Sequence, residues 1–296
     1  MIQLPNFLII GAPRSGTTTL YESLKQHPQI FMSPVKEPMF FILEEKKTFV
    51  GPDLPKGPAD IEEYRSLFRD VRDEKAVGEG SPCYLFSPEA PRRIMELIPD
   101  AKFLAILRNP IDRAYSHFVF NRLVGREPLS DFRKAIAAEE GRLRQGWFMY
   151  WCYLGMGYYG RQIERYFSHF HPRQFRFYLM DDLMQTPEDL FREVFRFLEV
   201  DEGIRISRPE KYNASGIPVN RTVQDLLVKP NVIKQQLKKI LSEKRQYQLL
   251  TKFLNRNLRK PSLDPEVRRQ LIALYREDIL KTQDLIHRDL SSWLAS

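Results

Sequence analysis

The residues of this chain with the clearest chemical meaning lie between Phe7 and Leu20, in the run FLIIGAPRSGTTTL. Four apolar residues (Phe7–Ile10) read as a buried strand, and the helix expected beyond the turn carries Leu20 and Leu24 on one face. Gly11 and Gly16 bracket the turn at the spacing of a nucleotide-triphosphate loop, but Thr17 stands where such a loop places its lysine. Backbone N–H groups of Ser15, Gly16, Thr17, Thr18 and Thr19, with a helix N-terminus behind them, can still cradle a phosphate dianion. The cation has moved into the loop, to Arg14. That arrangement points away from ATP hydrolysis and toward a nucleotide whose reacting group is not a γ-phosphate bridged by Mg²⁺.

A second anion subsite is expected where Lys102–Leu107, another apolar run, ends on Arg108. Asn109 and Pro110 have the chemistry of an N-cap and a first helical residue, so Arg108 falls between a strand end and a helix start. Ser116 follows about two helical turns later. In isolation Arg108 suits a helix cap or a surface ion pair equally well. Ligands of open α/β sheets lie at the carboxyl ends of strands, however, so both loops should face one crevice. A nucleotide with phosphates at two separate positions would fill it.

The order of these segments resembles the sulfotransferases that use 3′-phosphoadenosine-5′-phosphosulfate (PAPS). Pro13–Thr18 is similar to their 5′-phosphosulfate loop, and Arg108 through Ser116, within LRNPIDRAYSH, to their 3′-phosphate segment. Lys36-Glu37-Pro38-Met39-Phe40-Phe41, the run GEGSPCYL from Gly78 and the ending RDLSSWL from Arg288 are similar to segments of the bacterial and heparan-sulfate-type branch. The resemblance implies a P-loop-type fold and O-sulfuryl transfer by in-line displacement, with PAPS as donor, adenosine 3′,5′-bisphosphate (PAP) as product and no metal. Glu37 matches the carboxylate that serves as general base, and Arg14 would neutralise charge on the departing bridging oxygen. Lys36 beside Glu37 would depress its pKa while burial would raise it. Met39 stands where the family often has a histidine. A late basic segment of the family commonly folds over the nucleotide, which nominates Lys211 and Arg221; an ordinary linker is the competing reading. The acceptor expected is a carbohydrate hydroxyl, with a β-hydroxyacyl chain on an acyl carrier protein as the rival.

Around these residues the alternation of strands and helices argues a mostly parallel sheet covered on both faces. Expected strands are 7–10, 76–78, 102–107 and 175–178; expected helices are 17–26, 60–68, 88–98, 110–122, 130–144 and 187–198, the last capped by Thr186. Beyond about Arg221 only helices are expected, one capped at Asp264, as part of one sulfotransferase domain over residues 1–296. Two cysteines, Cys83 and Cys152, make no disulfide framework and suit a reducing compartment. No apolar run reaches the ~20 residues of a membrane span. A bacterial cytoplasmic enzyme, or a catalytic part cut from a longer chain, is therefore expected.

The formal net charge of +8 is matched by the segment 234–260 alone, with nine Lys/Arg against Glu243. Its apolar residues fall at helical spacing, so it reads either as a solvated face or as a landing surface for an acidic polysaccharide or a carrier protein. Nucleic acid is a poorer fit, since no helix-turn-helix, zinc or RNA-binding signature is present. The aromatic run 147–153, continued by Tyr158 and Tyr159, reads mostly as core, with Trp147 or Tyr159 as candidate walls for an acceptor. The five histidines show no metal-ligand spacing. A P-loop kinase is disfavoured because Thr17 replaces the lysine and the second strand ends in Arg108 rather than a Mg²⁺-binding aspartate. A non-catalytic anion-binding protein would have no need of Glu37.

Overall fold

The computed structural model describes residues 4–43, 49–51, 54–207, 217–218, 258–259 and 262–295. Strand β1 (Phe7–Gly11) is buried along its whole length. It is flanked on one side by β3 (Ala76–Gly80) and on the other by β4 (Lys102–Leu107). With β2 (Ile30–Met32) and β5 (Phe175–Leu179) at the edges, the five strands pair in parallel in the order β2-β3-β1-β4-β5.

The alternation of side chains explains why every central strand is apolar throughout. Leu8, Ile10, Phe103, Ala105 and Leu107 enter one core, shared with Tyr84, Trp151, Tyr153 and Tyr166. Phe7, Ile9, Leu104 and Ile106 enter the other, shared with Leu20, Leu24, Phe191 and Phe195. A parallel sheet covered on both faces requires this pattern. The α/β, P-loop-type fold class expected from the sequence is the architecture found. Chain direction across the sheet reverses at β1, with β2 and β3 on one side and β4 on the other, which opens a crevice at the carboxyl ends of β1 and β4.

Helices α1 (Thr17–Leu24), α2 (Ile61–Ser66), α3 (Ala90–Leu97) and α4 (Pro110–Leu123) lie where the sequence places them, with fewer residues at most ends. The helix expected over 130–144 is two, α5 (Phe132–Ala137) and α6 (Glu139–Arg144). Glu139 turns inward at the break, and its carboxylate accepts the N–H groups of Leu154 and Gly155, each at 2.7 Å. An unforeseen helix, α7 (Tyr159–Phe167), starts inside the aromatic run; Asp278 caps it by accepting from Gly160 N (2.9 Å) and Arg161 N (3.1 Å).

After β5 come α8 (Met180–Gln185) and α9 (Pro187–Leu198). Thr186 is the N-cap residue of α9, as expected, but its side chain makes no capping bond: its hydroxyl donates back to Asp182 O in α8 at 3.4 Å. The expectation of helices alone beyond Arg221 is also corrected. Two-residue strands β6 (Ile217–Pro218) and β7 (Leu258–Arg259) pair antiparallel, and then the 22-residue helix α10 (Pro265–Ile286) follows, capped by Asp264. Lys211, Arg221 and nearly all of the basic stretch 234–260 lie outside the described residues.

Candidate active site

Gly16 closes the first loop in a left-handed conformation (φ 98°) and serves as N-cap of α1 without any side-chain cap. A Cβ there would meet Leu183 Cδ2 at 2.8 Å, so both the backbone angle and the space call for glycine. The first N–H groups of α1 therefore open on the carboxyl end of β1, as an anion site requires. Ser15 is buried, Thr17 is buried, and Thr18 and Thr19 are half-buried.

Arg14 bends the loop at φ 68°, a left-handed angle costing about 1–2 kcal/mol for a residue with a Cβ. Its guanidinium lies over the Phe120 ring of α4, 4.3 Å from the centroid, and its Nε is buried without a hydrogen-bond partner among the described residues. Arg108, at the end of β4, donates from Nη1 to the Arg14 carbonyl at 3.3 Å. Among the described residues neither guanidinium has a carboxylate within 4.0 Å. Burial, then the neighbouring Arg108 charge, push the Arg14 pKa down to about 10, and Glu37 pulls it back up. Burial also lowers that of Arg108. Two partly desolvated cations sharing one crevice make it a strong anion trap.

The second subsite is held from behind. Asn109 accepts from Ile111 N (3.0 Å) as N-cap of α4 and donates to Trp293 O (3.3 Å). The Tyr159 hydroxyl donates to Arg108 O at 3.0 Å, and its ring packs edge-on against Trp293. With 1% of its surface exposed, Tyr159 is a strut under Arg108, not the open acceptor wall expected of it. Arg288 ties the same terminal segment to Asp182 through two bonds of 2.9 and 2.8 Å. Ser116, on α4, is half-buried.

Glu37 arrives from the loop after β2 but is docked on β3, where its N–H donates to Gly80 O at 3.1 Å. Glu37 (φ 60°) and Met39 (φ 55°) are both left-handed. The Lys36 ammonium is bonded to the Glu37 carboxylate, and the two side chains keep 25% and 33% of their surface exposed. A carboxylate, its ammonium partner and Arg14 thus meet at the mouth of the crevice. Met39, in the place of the family's frequent histidine, is buried and offers the site no acid or base. Trp147 is half-buried, edge-on to Trp151 and stacked by Arg142 at 5.0 Å. His117 is fully enclosed next to Arg113 (3.4 Å), and burial holds its pKa far below the usual value.

One buried carboxylate beside the site escaped sequence reasoning. Glu79, on β3, is 0% exposed yet receives hydroxyl hydrogen bonds from Tyr84 (2.7 Å), Ser81 (2.9 Å) and Tyr64 (3.4 Å). Burial raises its pKa to about 7 against the pull of those bonds. The signal was a carboxylate inside a buried strand, in the motif GEGSPCYL.

A family model of the sulfotransferase domain matches residues 4–282. The chain belongs to the sulfotransferase domain family. The crystal structure of a sulfotransferase from Alicyclobacillus acidocaldarius superposes with a TM-score of 0.77 at 31% identity, covering 99% of this chain and all (100%) of that one. Mouse bifunctional heparan sulfate N-deacetylase/N-sulfotransferase 4 is 30% identical over 299 residues, 98% of this chain and 31% of the relative. Human bifunctional heparan sulfate N-deacetylase/N-sulfotransferase 3 is 32% identical over 203 residues, covering 67% of this chain and 22% of the relative. The sulfotransferase chain thus spans less than a third of the length of either curated relative. Mouse sulfotransferase SULT7A1, complexed with PAP, shares the fold at a TM-score of 0.52 and 14% identity. No helix among the described residues is long and apolar enough to cross a membrane.

Proposed function

We propose that this sulfotransferase carries a sulfuryl group from PAPS to a hydroxyl or amine of a carbohydrate, releasing PAP. The observation that supports it most is the crevice at the carboxyl ends of β1 and β4. There Arg14 and Arg108 have no carboxylate within 4.0 Å among the described residues, and Glu37, paired with Lys36, acts on Arg14 from farther off. The loop Arg14–Thr19 fits the 5′-phosphosulfate: its N–H groups open on the crevice, and the buried Arg14 Nε has no hydrogen-bond partner among the described residues. Arg108 and Ser116 fit the 3′-phosphate at the second strand end.

The acceptor oxygen or nitrogen attacks sulfur in line with the bridging oxygen of the donor. Its proton passes to the Glu37 carboxylate while the sulfur–oxygen bond to PAP breaks. Arg14 offsets the charge that collects on the bridging oxygen, an electrostatic contribution strengthened by its partial burial. Lys36, bonded to the Glu37 carboxylate, helps to hold it in place, and positioning supplies much of the remaining acceleration. The relatives named for heparan sulfate N-sulfation favour a sugar acceptor and bring the amine into consideration beside the hydroxyl. The buried free thiols of Cys83 and Cys152 suit the reducing compartment of a cytoplasmic enzyme.

Sulfur-labelled PAPS, incubated with N-deacetylated heparan sulfate, its N-acetylated counterpart, a free sugar alcohol and a β-hydroxyacyl carrier protein, tests the reading. Label on either polysaccharide supports it, and the preference between them separates amine from hydroxyl. Label on the carrier alone, or on none, overturns it.

A further inference from the structure

The loop that bears Glu37 is anchored by two hydroxyls that share one buried carboxylate. Ser81 Oγ donates to Glu79 Oε2 at 2.9 Å and accepts the Met39 N–H at 3.0 Å. Tyr84 Oη donates to Glu79 Oε1 at 2.7 Å and accepts the Phe41 N–H at 3.4 Å. Tyr64 Oη, from α2, makes a third, longer contact to Oε1 at 3.4 Å. Each hydroxyl has a single hydrogen. While that hydrogen points at Glu79, the lone pairs face the loop.

We propose that Glu79 is a positioning residue for Glu37: its carboxylate collects the hydroxyl hydrogens of Ser81 and Tyr84, and so holds both oxygens as acceptors for the backbone of residues 37–41. The proposal rests on the reading of Glu37 as general base. It accounts for a carboxylate in the middle of an apolar sheet that touches no cation among the described residues. It also accounts for how a loop with two left-handed residues, Glu37 and Met39, is kept in one conformation. An amide or a protonated carboxyl of the same shape must donate at least one hydrogen, which turns one hydroxyl hydrogen away from residue 79, either against a loop N–H or into surroundings that offer it no acceptor among the bonds described, and so loosens the anchor.

Charge state therefore matters. Groups facing Glu79 are Tyr64 from α2, Tyr84 from the turn after β3, Tyr21 from α1, Tyr166 from α7 and the Glu37 carboxylate. Burial drives all four tyrosines upward, so none of them titrates near neutrality. Glu79, raised to about 7, does. Ordering of the loop should then be lost as pH falls through about 7, above the range of an ordinary carboxylate.

The test is Glu79→Gln, read by amide hydrogen exchange, PAP affinity and turnover with PAPS and the best acceptor of the panel. Expected are faster exchange at Met39 and Phe41, PAP affinity within about twofold of the parent, and kcat reduced about 10- to 100-fold. The parent's own loss of kcat near pH 7 should be absent in the variant. Unchanged exchange at Met39 and Phe41 in the folded variant would overturn the proposal. Should the variant not fold, the unmutated protein answers. After correction for intrinsic rates, protection of those two amides must fall between pH 8 and pH 6, and constant protection would also overturn it. Glu37→Gln run in parallel keeps the two readings apart: normal turnover there removes Glu37 as base, while the exchange measurements still decide whether Glu79 organises the loop.

Discussion

Two buried arginine clusters in this protein are built on opposite principles. Arg142 forms two bonds to Glu127 (2.7 and 2.9 Å), and the same carboxylate takes the Tyr153 hydroxyl (2.7 Å) and the Leu129 N–H (2.9 Å). Every lone pair of that carboxylate is engaged, the Arg142 pKa is raised and that of Glu127 lowered. In the crevice, Arg14 and Arg108 are pushed the other way, down: burial is the main cause for both, joined at Arg14 by the Arg108 charge, and the carboxylates that pull back do not outweigh it. A charge whose partner is supplied by the chain holds the fold together. One whose partner is missing from the described chain is poised to take that partner from a ligand. The difference separates scaffold from site without reference to any relative.

The largest effect that would sharpen this contrast is on chemistry alone. Glu37→Gln should lower kcat about 10²- to 10⁴-fold with PAP affinity retained, as removal of a general base does. Near-normal turnover, measured with PAPS and the best acceptor, would move the base elsewhere. The scaffold pair should respond in stability instead. Arg142→Ala leaves Glu127 buried without its counter-charge and should cost about 3–5 kcal/mol in denaturant unfolding. Arg14→Met, which removes a cation with no carboxylate within 4.0 Å among the described residues, should cost far less; equal losses would erase the distinction.

Ligand should supply what the crevice lacks. PAP at about a hundredfold over its Kd should stabilise the parent by ~2.7 kcal/mol without Mg²⁺, visible as a rise in Tm. The same nucleotide concentration should stabilise Arg14→Met by only about 0.4–1.4 kcal/mol.

The smallest effect concerns pH and again sets scaffold against site. Glu127, lowered by its partners, contributes stability that is present above its unfolded value and lost as pH falls through its folded one. Glu79, raised from 4.5 to about 7, has the opposite sign: stability is highest below its unfolded value and declines as pH rises through about 7. Its ionised form orders the Glu37 loop at the expense of global stability. Unfolding free energy followed from pH 5 to 8 should therefore slope downward in the parent and lie flatter in Glu79→Gln.

What the sequence made legible was whatever depends on neighbours in the chain. Gly11, Arg14 and Gly16 sit in a turn whose strand and helix are contiguous, and Arg108 follows its strand directly, so the order of residues alone places both loops at the ends of their strands. Helix α7 stayed hidden because Gly155, Gly157 and Gly160 punctuate an aromatic run, and its cap, Asp278, comes from more than a hundred residues away. Three-residue β2 is too short to carry a period. Tyr159 read as a wall because sequence reports that a ring is apolar but not which side of it is covered. Glu79 and Glu127 were silent for the same reason: each is defined by hydroxyls or guanidiniums that converge on it only when the sheet and its helices pack.

The central claim is that the crevice cations await the two anionic ends of one nucleotide. Calorimetric titration of PAP into the parent, Arg14→Met and Arg108→Met at pH 7.5 with chelator present tests it most directly. Metal-independent binding by the parent, weakened about ten- to a hundredfold in each variant by loss of a charge-assisted bond of ~1.5–3 kcal/mol, is the predicted result. Parent-like PAP affinity in both variants, or binding of ATP–Mg²⁺ in preference to PAP, would contradict it.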